Sequence, residues 1–447
     1  MEKNTCIAMI PSPGLSHLIP FVEFAKRVVQ QNHNKIHVTF LIPTFGSPSS
    51  SMISILNVLP PNIDFTILPQ VNIQDLPHNL NLETKITRTC KLSLPFLHEA
   101  VTSLSSLTNL VAIVFDVFSV DALDVAKKFN LLSYIFFTTG AVLLSFSLCL
   151  PMLDESGSLT DLTKTVNIPG CVVPFQVKDL PDPVLHERSN ETYIHCVEMS
   201  KTLSLFDGLI VNTFTDLEGD AISALHEKHL NENSPCVYPV GPIIQTKSTG
   251  KENQWEFIEW LNKQPPKSVL YISFGSGGTL SQDQLNDSAY LIGQKEDPLN
   301  YLPSGFCDRT KRQGLVIPSW APQVEVLGHG SIGAFLSHCG WNSILESVVH
   351  GIPMIALPLF AEQRMNAVLL TEVIKVAVRP KVDDESGLIK REEIAKVIKR
   401  IMEGDDDDDL EIHKRIKDLS DAAFVAISEN GSSQRAFSSL VLKWLNI

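Results

Sequence analysis

The sequence predicts an α/β fold made of two successive series of parallel strands, each wrapped by helices. Three observations carry that expectation. The chain's 447 residues are enough for two domains with sizeable cores. Short, continuously apolar, β-branched runs recur along it, the kind buried on both faces of a sheet. Most are followed by a turn and a helical stretch, an alternation that gives parallel sheets.

The first apolar run, residues 6–10, is broken by Pro11-Ser12-Pro13-Gly14, and residues 17–31 then read as helix. Strands are expected at 36–42, 110–115, 133–137 and 209–212, with helices at 121–129 and 143–150. The uncharged stretch 130–153 is long enough to span a bilayer. Ser133, Thr138, Thr139, Gly140, Ser145, Ser147 and Pro151 interrupt it, so a buried strand, a turn and a buried helix explain it better. Residues 237–250, with Pro239, Gly241, Pro242 and a polar tail, carry the strongest linker signal. The expected division is an N-terminal domain at 1–240, a linker at 241–250 and a C-terminal domain at 251–431. The second series places strands at 269–274, 315–317, 332–336 and 354–357, and reads the acidic run 405–409 as a solvated loop.

Composition narrows the function. A net charge of −14 argues against nucleic-acid binding, which needs a basic surface to neutralise phosphates. The eight cysteines are scattered with no CxxC pair, so they read as reduced thiols of a cytoplasmic protein, neither a disulfide framework nor a zinc site. The first apolar run is too short for a secretory signal. No metal is expected, since no Asp-x-Asp follows a strand. A monomer without a membrane span is expected.

The most informative stretch runs from Trp320 to Gln363. An apolar strand leads into Ser337-His338-Cys339-Gly340, and a helix opens at Trp341-Asn342-Ser343. Ligands of α/β proteins bind where parallel strands end and helices begin. Helix N-terminal amides and the helix dipole attract phosphate there. Gly340 permits close backbone approach, Asn342 and Ser343 suit capping or phosphate contact, and His338 is a further donor. Trp320 suits stacking on a flat base, although a tryptophan in such a domain is more often core. Glu346, one turn after Asn342, is placed to accept from ribose hydroxyls, with an exposed helical glutamate as the plainer reading. Residues alone therefore support a diphosphate at a strand-to-helix turn.

The whole stretch, 44 residues long, resembles the signature box of plant secondary-product glycosyltransferases that use UDP-sugars. That resemblance covers nearly the entire chain. It implies the GT-B architecture, two Rossmann-like domains facing across a cleft, with a final helix near 432–447 returning to the first domain. It further implies that Trp320 stacks on uracil, that Ala321 belongs to the donor-binding set, and that Gln323 contacts the uracil or ribose and Glu346 the ribose. His338, Gly340, Asn342 and Ser343 would bind the diphosphate, helped by Ser276 and Gly277. Trp341, Glu362 and Gln363 would face the sugar, with a final Gln resembling glucose users, and Thr139 a further sugar contact. The donor would be UDP-glucose, with no tightly bound cofactor.

His17 follows a strand and a Pro/Gly turn, a reasonable place for a general base, though a lone histidine is commonly structural. Asp116 also follows a strand directly, and suits either a helix cap or an imidazole-orienting carboxylate. The contexts PSPGLSHLIP and VFDVFSVDAL match the family segments carrying its base and orienting acid, which implies an inverting transfer to a small phenolic acceptor. The N-terminal half is most similar to the hydroquinone glucosyltransferase (arbutin synthase) group. One segment departs from the pattern. After Tyr290 about thirty residues expected by resemblance are absent, including a strand, so the strand at 269–274 should lack its usual neighbour. A truncated, impaired UDP-sugar-binding paralogue and a sugar-nucleotide epimerase of the same architecture are the alternatives.

Overall fold

Parallel strands with apolar residues on both faces dominate the computed structural model. It describes residues 5–31, 35–72, 82–232, 234–246, 254–275, 302, 304–311, 313–317, 321–383, 386–404 and 406–446. The chain divides into two units. The first comprises Met1–Lys178, Pro183–Gln245 and Val425–Ile447, and the second Asp179–Asp182 and Thr246–Phe424.

The first unit holds a seven-stranded sheet. Its strands are β1 (Thr5–Ile10), β2 (Ile36–Ile42), β3 (Ile63–Ile67), β4 (Asn109–Asp116), β5 (Leu132–Phe137), β6 (Gly208–Val211) and β7 (Cys236–Pro239). The spatial order is β3-β2-β1-β4-β5-β6-β7, all parallel. Order reverses between β1 and β4, where a doubly wound sheet opens its ligand crevice. Helix α1 (Leu15–Gln31) leaves β1 and buries Leu18, Phe21, Phe24 and Val28.

The C-terminal helix Ser432–Leu445 completes that core, with Phe437, Leu440, Val441 and Trp444 buried in the same cluster as Phe24 and Phe136. Phe24 meets the Phe437 ring at 6.0 Å and the Trp444 ring at 6.4 Å, both edge to face. Arg27 lies 4.6 Å over the Phe437 ring and donates to the Val240 carbonyl at 2.6 Å and to Gln434 at 2.9 Å. Burial pulls its pKa down to about 10, so the guanidinium stays charged at neutral pH.

The second unit holds four parallel strands in the order β8 (Val269–Ser273), β9 (Ile332–Ser337), β10 (Met354–Ala356) and β11 (Ala377–Val378). Several expectations change. Residues 315–317 form no strand and Leu315 is 42% exposed. A strand needs a neighbour for its ladder, and among the described residues β8 pairs only with β9. The segment after Gly275, where the missing strand was expected, lies outside the described residues. Residues 237–239, placed with the linker signal, belong to edge strand β7, where Pro239 is tolerated because an edge needs fewer donors. The expected helix 121–129 is a 3-10 turn, Val117–Ala122, followed by the short helix Leu123–Lys128. The acidic run is no solvated loop: Asp406 Oδ1 accepts from the Asp409 amide, and Asp407–Ile427 is helical. Carboxylates in a first helical turn are favoured by the dipole, and buried Asp409 pairs with Arg400 at 2.5 Å.

The uncharged stretch folds as β5 and the helix Ala141–Glu155, and among the described residues no helix is long and apolar enough to cross a membrane. Trp444 is fully buried, so Trp444→Ala should lower the unfolding free energy of the first unit by about 3–5 kcal/mol. Denaturant titration followed by circular dichroism would measure it. A loss below about 1 kcal/mol would show that the helix contributes little to this core.

Candidate active site

Two strand ends of the first unit deliver a carboxylate and an imidazole to one point. Asp116, the last residue of β4, is fully buried. Its Oδ2 lies 2.8 Å from His17 Nδ1, and its Oδ1 accepts from the Ser12 hydroxyl at 2.5 Å and the Phe118 amide at 3.1 Å. Asp116 therefore caps the following turn through one oxygen while the other contacts His17. His17 stays 18% exposed in its side chain, with the Phe118 ring edge-on at 5.5 Å. Because Asp116 engages Nδ1, Nε2 is the nitrogen suited to proton transfer.

At the end of β5, Thr139 Oγ1 is buried without a hydrogen-bond partner among the described residues. The next helix, Ala141–Glu155, begins at Gly140, which supplies no side-chain cap. Glu218 fills that role, accepting from the Ala141 amide at 2.8 Å and the Val142 amide at 2.9 Å. Burial pushes the Glu218 carboxyl pKa up, and these amides oppose the shift.

In the second unit, β9 ends at Ser337 and the helix Trp341–His350 opens after Gly340, again without a side-chain cap. Gly275 follows β8, and a Cβ on either Gly275 or Gly340 would sit 2.5 Å from His338 Nε2. No larger residue fits there without displacing the ring. His338 is 8% exposed, its Nδ1 has no partner among the described residues, and burial pulls its pKa down to about 4 against the Ser273 backbone. The ring is therefore neutral at pH 7.

Gln323, Ser343 and Glu346 form one hydrogen-bonded group. Gln323 Nε2 donates to Ser343 Oγ at 2.9 Å and to Glu346 Oε2 at 2.7 Å, while Tyr271 OH donates to Gln323 Oε1 at 3.3 Å. Glu346 is only 8% exposed, which overturns the plainer reading of an exposed helical glutamate. Trp341 is buried at 3% exposure, and Asn342 and Ala321 are half-buried. Trp320, Ser276 and Gly277 lie outside the described residues.

Glu362 and Gln363 follow Ala361, whose φ of 55° is unusual for a residue with a side chain. Asp182 holds that turn: its amide donates to the Ala361 carbonyl at 3.1 Å, its carboxylate accepts from the Ala361 amide at 2.7 Å, and Arg364 pairs with the same carboxylate. Gln363 Oε1 accepts from the Leu359 and Phe360 amides at 2.9 and 3.1 Å, which leaves its amide nitrogen as the end able to donate outward. Sequence reasoning passed over Ser12, Asp182 and Glu218 because single short polar residues beside Pro or within a helix carry no signature of their own.

Paired parallel sheets with a helix N-terminus and a His–carboxylate pair at strand ends define a GT-B glycosyltransferase. Residues 239–405 match the model of the UDP-glucoronosyl and UDP-glucosyl transferase family. The chain is 45% identical to the hydroquinone glucosyltransferase of Rauvolfia serpentina, over all of this chain and 99% of that relative. A structure of a Polygonum tinctorium UDP-glucosyltransferase capable of glucosylating indoxyl, with 3,4-dichloroaniline, superposes at a TM-score of 0.91. It is 42% identical, covering 100% of this chain and 99% of that one. Phytolacca americana UGT2 with UDP-2-fluoro-glucose and pterostilbene gives 0.89 at 40% identity, covering 98% and 99%. The chain belongs to the UDP-glucoronosyl and UDP-glucosyl transferase family.

Coverage of 99% of the Rauvolfia enzyme argues against the alternative of a truncated paralogue. That alignment spans 474 positions against the chain's 447 residues, so at least 27 positions are internal gaps here.

Glu346 yields a prediction. Burial raises its pKa from 4.5 to about 7, opposed by the Gln323 hydrogen bond. The folded form keeps this proton to higher pH than the unfolded one, so the associated stability is complete below about pH 4.5 and lost as pH rises through about 7. Without nucleotide, Glu346→Gln should remove up to about 3 kcal/mol of the stability lost between those limits. Urea unfolding of both proteins at either end of that window measures it, and parallel curves would refute it.

Proposed function

We propose that this protein is an inverting O-glucosyltransferase moving glucose from UDP-glucose to small phenolic acceptors. The observation that carries the reading is the His17–Asp116 contact at 2.8 Å. His17 Nε2 takes the phenol proton, and Asp116 stabilises the imidazolium that forms. The phenolate oxygen then forms a bond to the anomeric carbon while the bond to the UDP oxygen breaks on the opposite face, inverting configuration. UDP leaves carrying the electron pair, and the amides at the start of the Trp341–His350 helix meet its charge. His338 and Ser343 add contacts to the diphosphate, Gln323 and Glu346 hold the ribose, and Trp320 stacks on uracil. Support comes from the clustering of Gln323, Ser343 and Glu346, and from two relatives named for, or bound to, a phenol. An epimerase would need no base for an acceptor, so the His17–Asp116 pair favours transfer. The reading includes a cytoplasmic enzyme, supported by the scattered cysteines, acting as a monomer.

Transfer from UDP-glucose to a panel of phenols, with the product's anomeric configuration read by NMR, tests the proposal. A retained configuration or no transfer to any phenol would overturn it. His17→Ala should lower kcat on weakly acidic phenols by about 10²–10⁴-fold while UDP affinity stays within about twofold.

Donor choice gives a second check. Glu362 and the Gln363 amide nitrogen are read as sugar-hydroxyl partners, and an epimer leaves such groups unpaired at about 1–3 kcal/mol each. UDP-glucose should therefore exceed UDP-galactose and UDP-glucuronate in kcat/KM. Highest kcat/KM for UDP-glucuronate would remove the role given to Gln363.

A further inference from the structure

Ser12 stands behind the His17–Asp116 pair. The residue is 1% exposed, in the Pro11-Ser12-Pro13-Gly14 turn after β1, and its hydroxyl reaches Asp116 Oδ1 at 2.5 Å. The Phe118 amide reaches the same oxygen at 3.1 Å, while Oδ2 faces His17 Nδ1. One oxygen is thus pinned by two donors from different segments, and the other is turned toward the imidazole. An ionised carboxylate accepts only, so the single Ser12 hydrogen is committed to Asp116. Cys90 Sγ lies 3.9 Å from Ser12 Oγ. With the serine hydrogen spent, that contact can run only from thiol to hydroxyl oxygen. Burial pushes the Cys90 thiol up to about 12, which keeps its hydrogen in place for the contact.

We propose that Ser12 is a positioning residue for the transfer reaction, fixing the rotation of the Asp116 carboxylate and so the direction in which His17 presents Nε2. This rests on the reading of His17 as the general base and adds a third member to its support. Without the hydroxyl, Oδ1 keeps only its backbone donor, and the carboxylate's rotation relative to the imidazole is less firmly fixed. The buried charge also loses a strong hydrogen bond, which favours any rearrangement that restores one. Charge-assisted bonds of this type are worth enough to change a rate by about tenfold or more. Ser12 touches the acid and not the acceptor, so its effect should scale with how much the acceptor needs a base.

Three variants test it: Ser12→Ala, Ser12→Thr and His17→Ala. Each is assayed with hydroquinone, which must lose its proton, and with 4-nitrophenol above its own pKa, where the acceptor is already mostly ionised. Ser12→Ala should lose about tenfold in kcat on hydroquinone and less than about twofold on 4-nitrophenol, with UDP affinity unchanged by calorimetry. Ser12→Thr, which keeps the hydroxyl, should recover most of the hydroquinone rate. Equal losses on both acceptors, or a loss tracking a lowered melting temperature, would reduce Ser12 to a structural role and overturn the proposal. Wild-type rates on both acceptors would overturn it as well. If His17→Ala is inactive on hydroquinone while Ser12→Ala is normal, only the Ser12 inference falls. Full activity of His17→Ala would remove both.

Discussion

A negative charge with no access to water is the constraint around which the first unit is arranged. Asp116 ends the central strand β4 and is fully buried, where an unpaired carboxylate would be prohibitively costly. Its two oxygens therefore recruit a hydroxyl from the loop after β1, a backbone amide from the turn after β4, and the imidazole at the start of the first helix. Those partners arise more than ninety residues apart in sequence for Ser12 and His17 alike, and they meet because β1 and β4 are parallel neighbours. The charge and the sheet order specify each other. A slip of β1 against β4 would leave the carboxylate short of its donors, so the polar site also acts as a register mark for the sheet.

The two units each place a helix start just beyond a strand end, and they compensate it differently. In the first, Glu218 accepts from the amides of Ala141 and Val142, so the positive end of that helix is already met by an internal carboxylate. In the second, the Trp341–His350 helix begins at Gly340 with no side-chain cap, beside a neutral, buried His338. The same local architecture is met by an internal carboxylate in one unit and carries no side-chain cap from Gly340 in the other. Glycine at 275 and 340 keeps the space open, because a Cβ at either would fall on the His338 ring.

Much of this was legible in sequence because buried parallel strands announce themselves by hydrophobic run length. β1, β2, β4 and β5 lie within a residue or so of their expected bounds, and β1, β4 and β5 end at or close to candidate site residues. The edge strands were illegible for the opposite reason. β3 buries only Ile63 fully and alternates with Asp64 and Thr66, while β7 sits among prolines that signal a loop. At the site, residues with a family signature were found, whereas Ser12, Asp182 and Glu218 were not. Their roles depend on what lies across the fold from them, which local pattern does not encode. Glu346 is the intermediate case: its spacing was readable, but its burial and its bond to Gln323 follow from packing alone.

The irregular segment 315–317 bears on how the second sheet is bounded. A doubly wound sheet of order 3-2-1-4-5-6 sets its second strand between the first and the third. If the internal deficit of at least 27 aligned positions removes that second strand, the third has nothing to pair with, and an exposed Leu315 outside any ladder is the consequence. The ligand crevice of such a sheet lies on the other side of the first strand, at the switch between the first and fourth. Here those strands are β8 and β9, paired from Val269 with Ile332 to Ser273 with Ser337. Gly275 beyond β8 meets His338 beyond β9 across that switch. Loss on the outer side of β8 would cost sheet edge and helix-packing area before it cost a contact at the β8–β9 strand ends. The burden would then fall on the stability of the second unit.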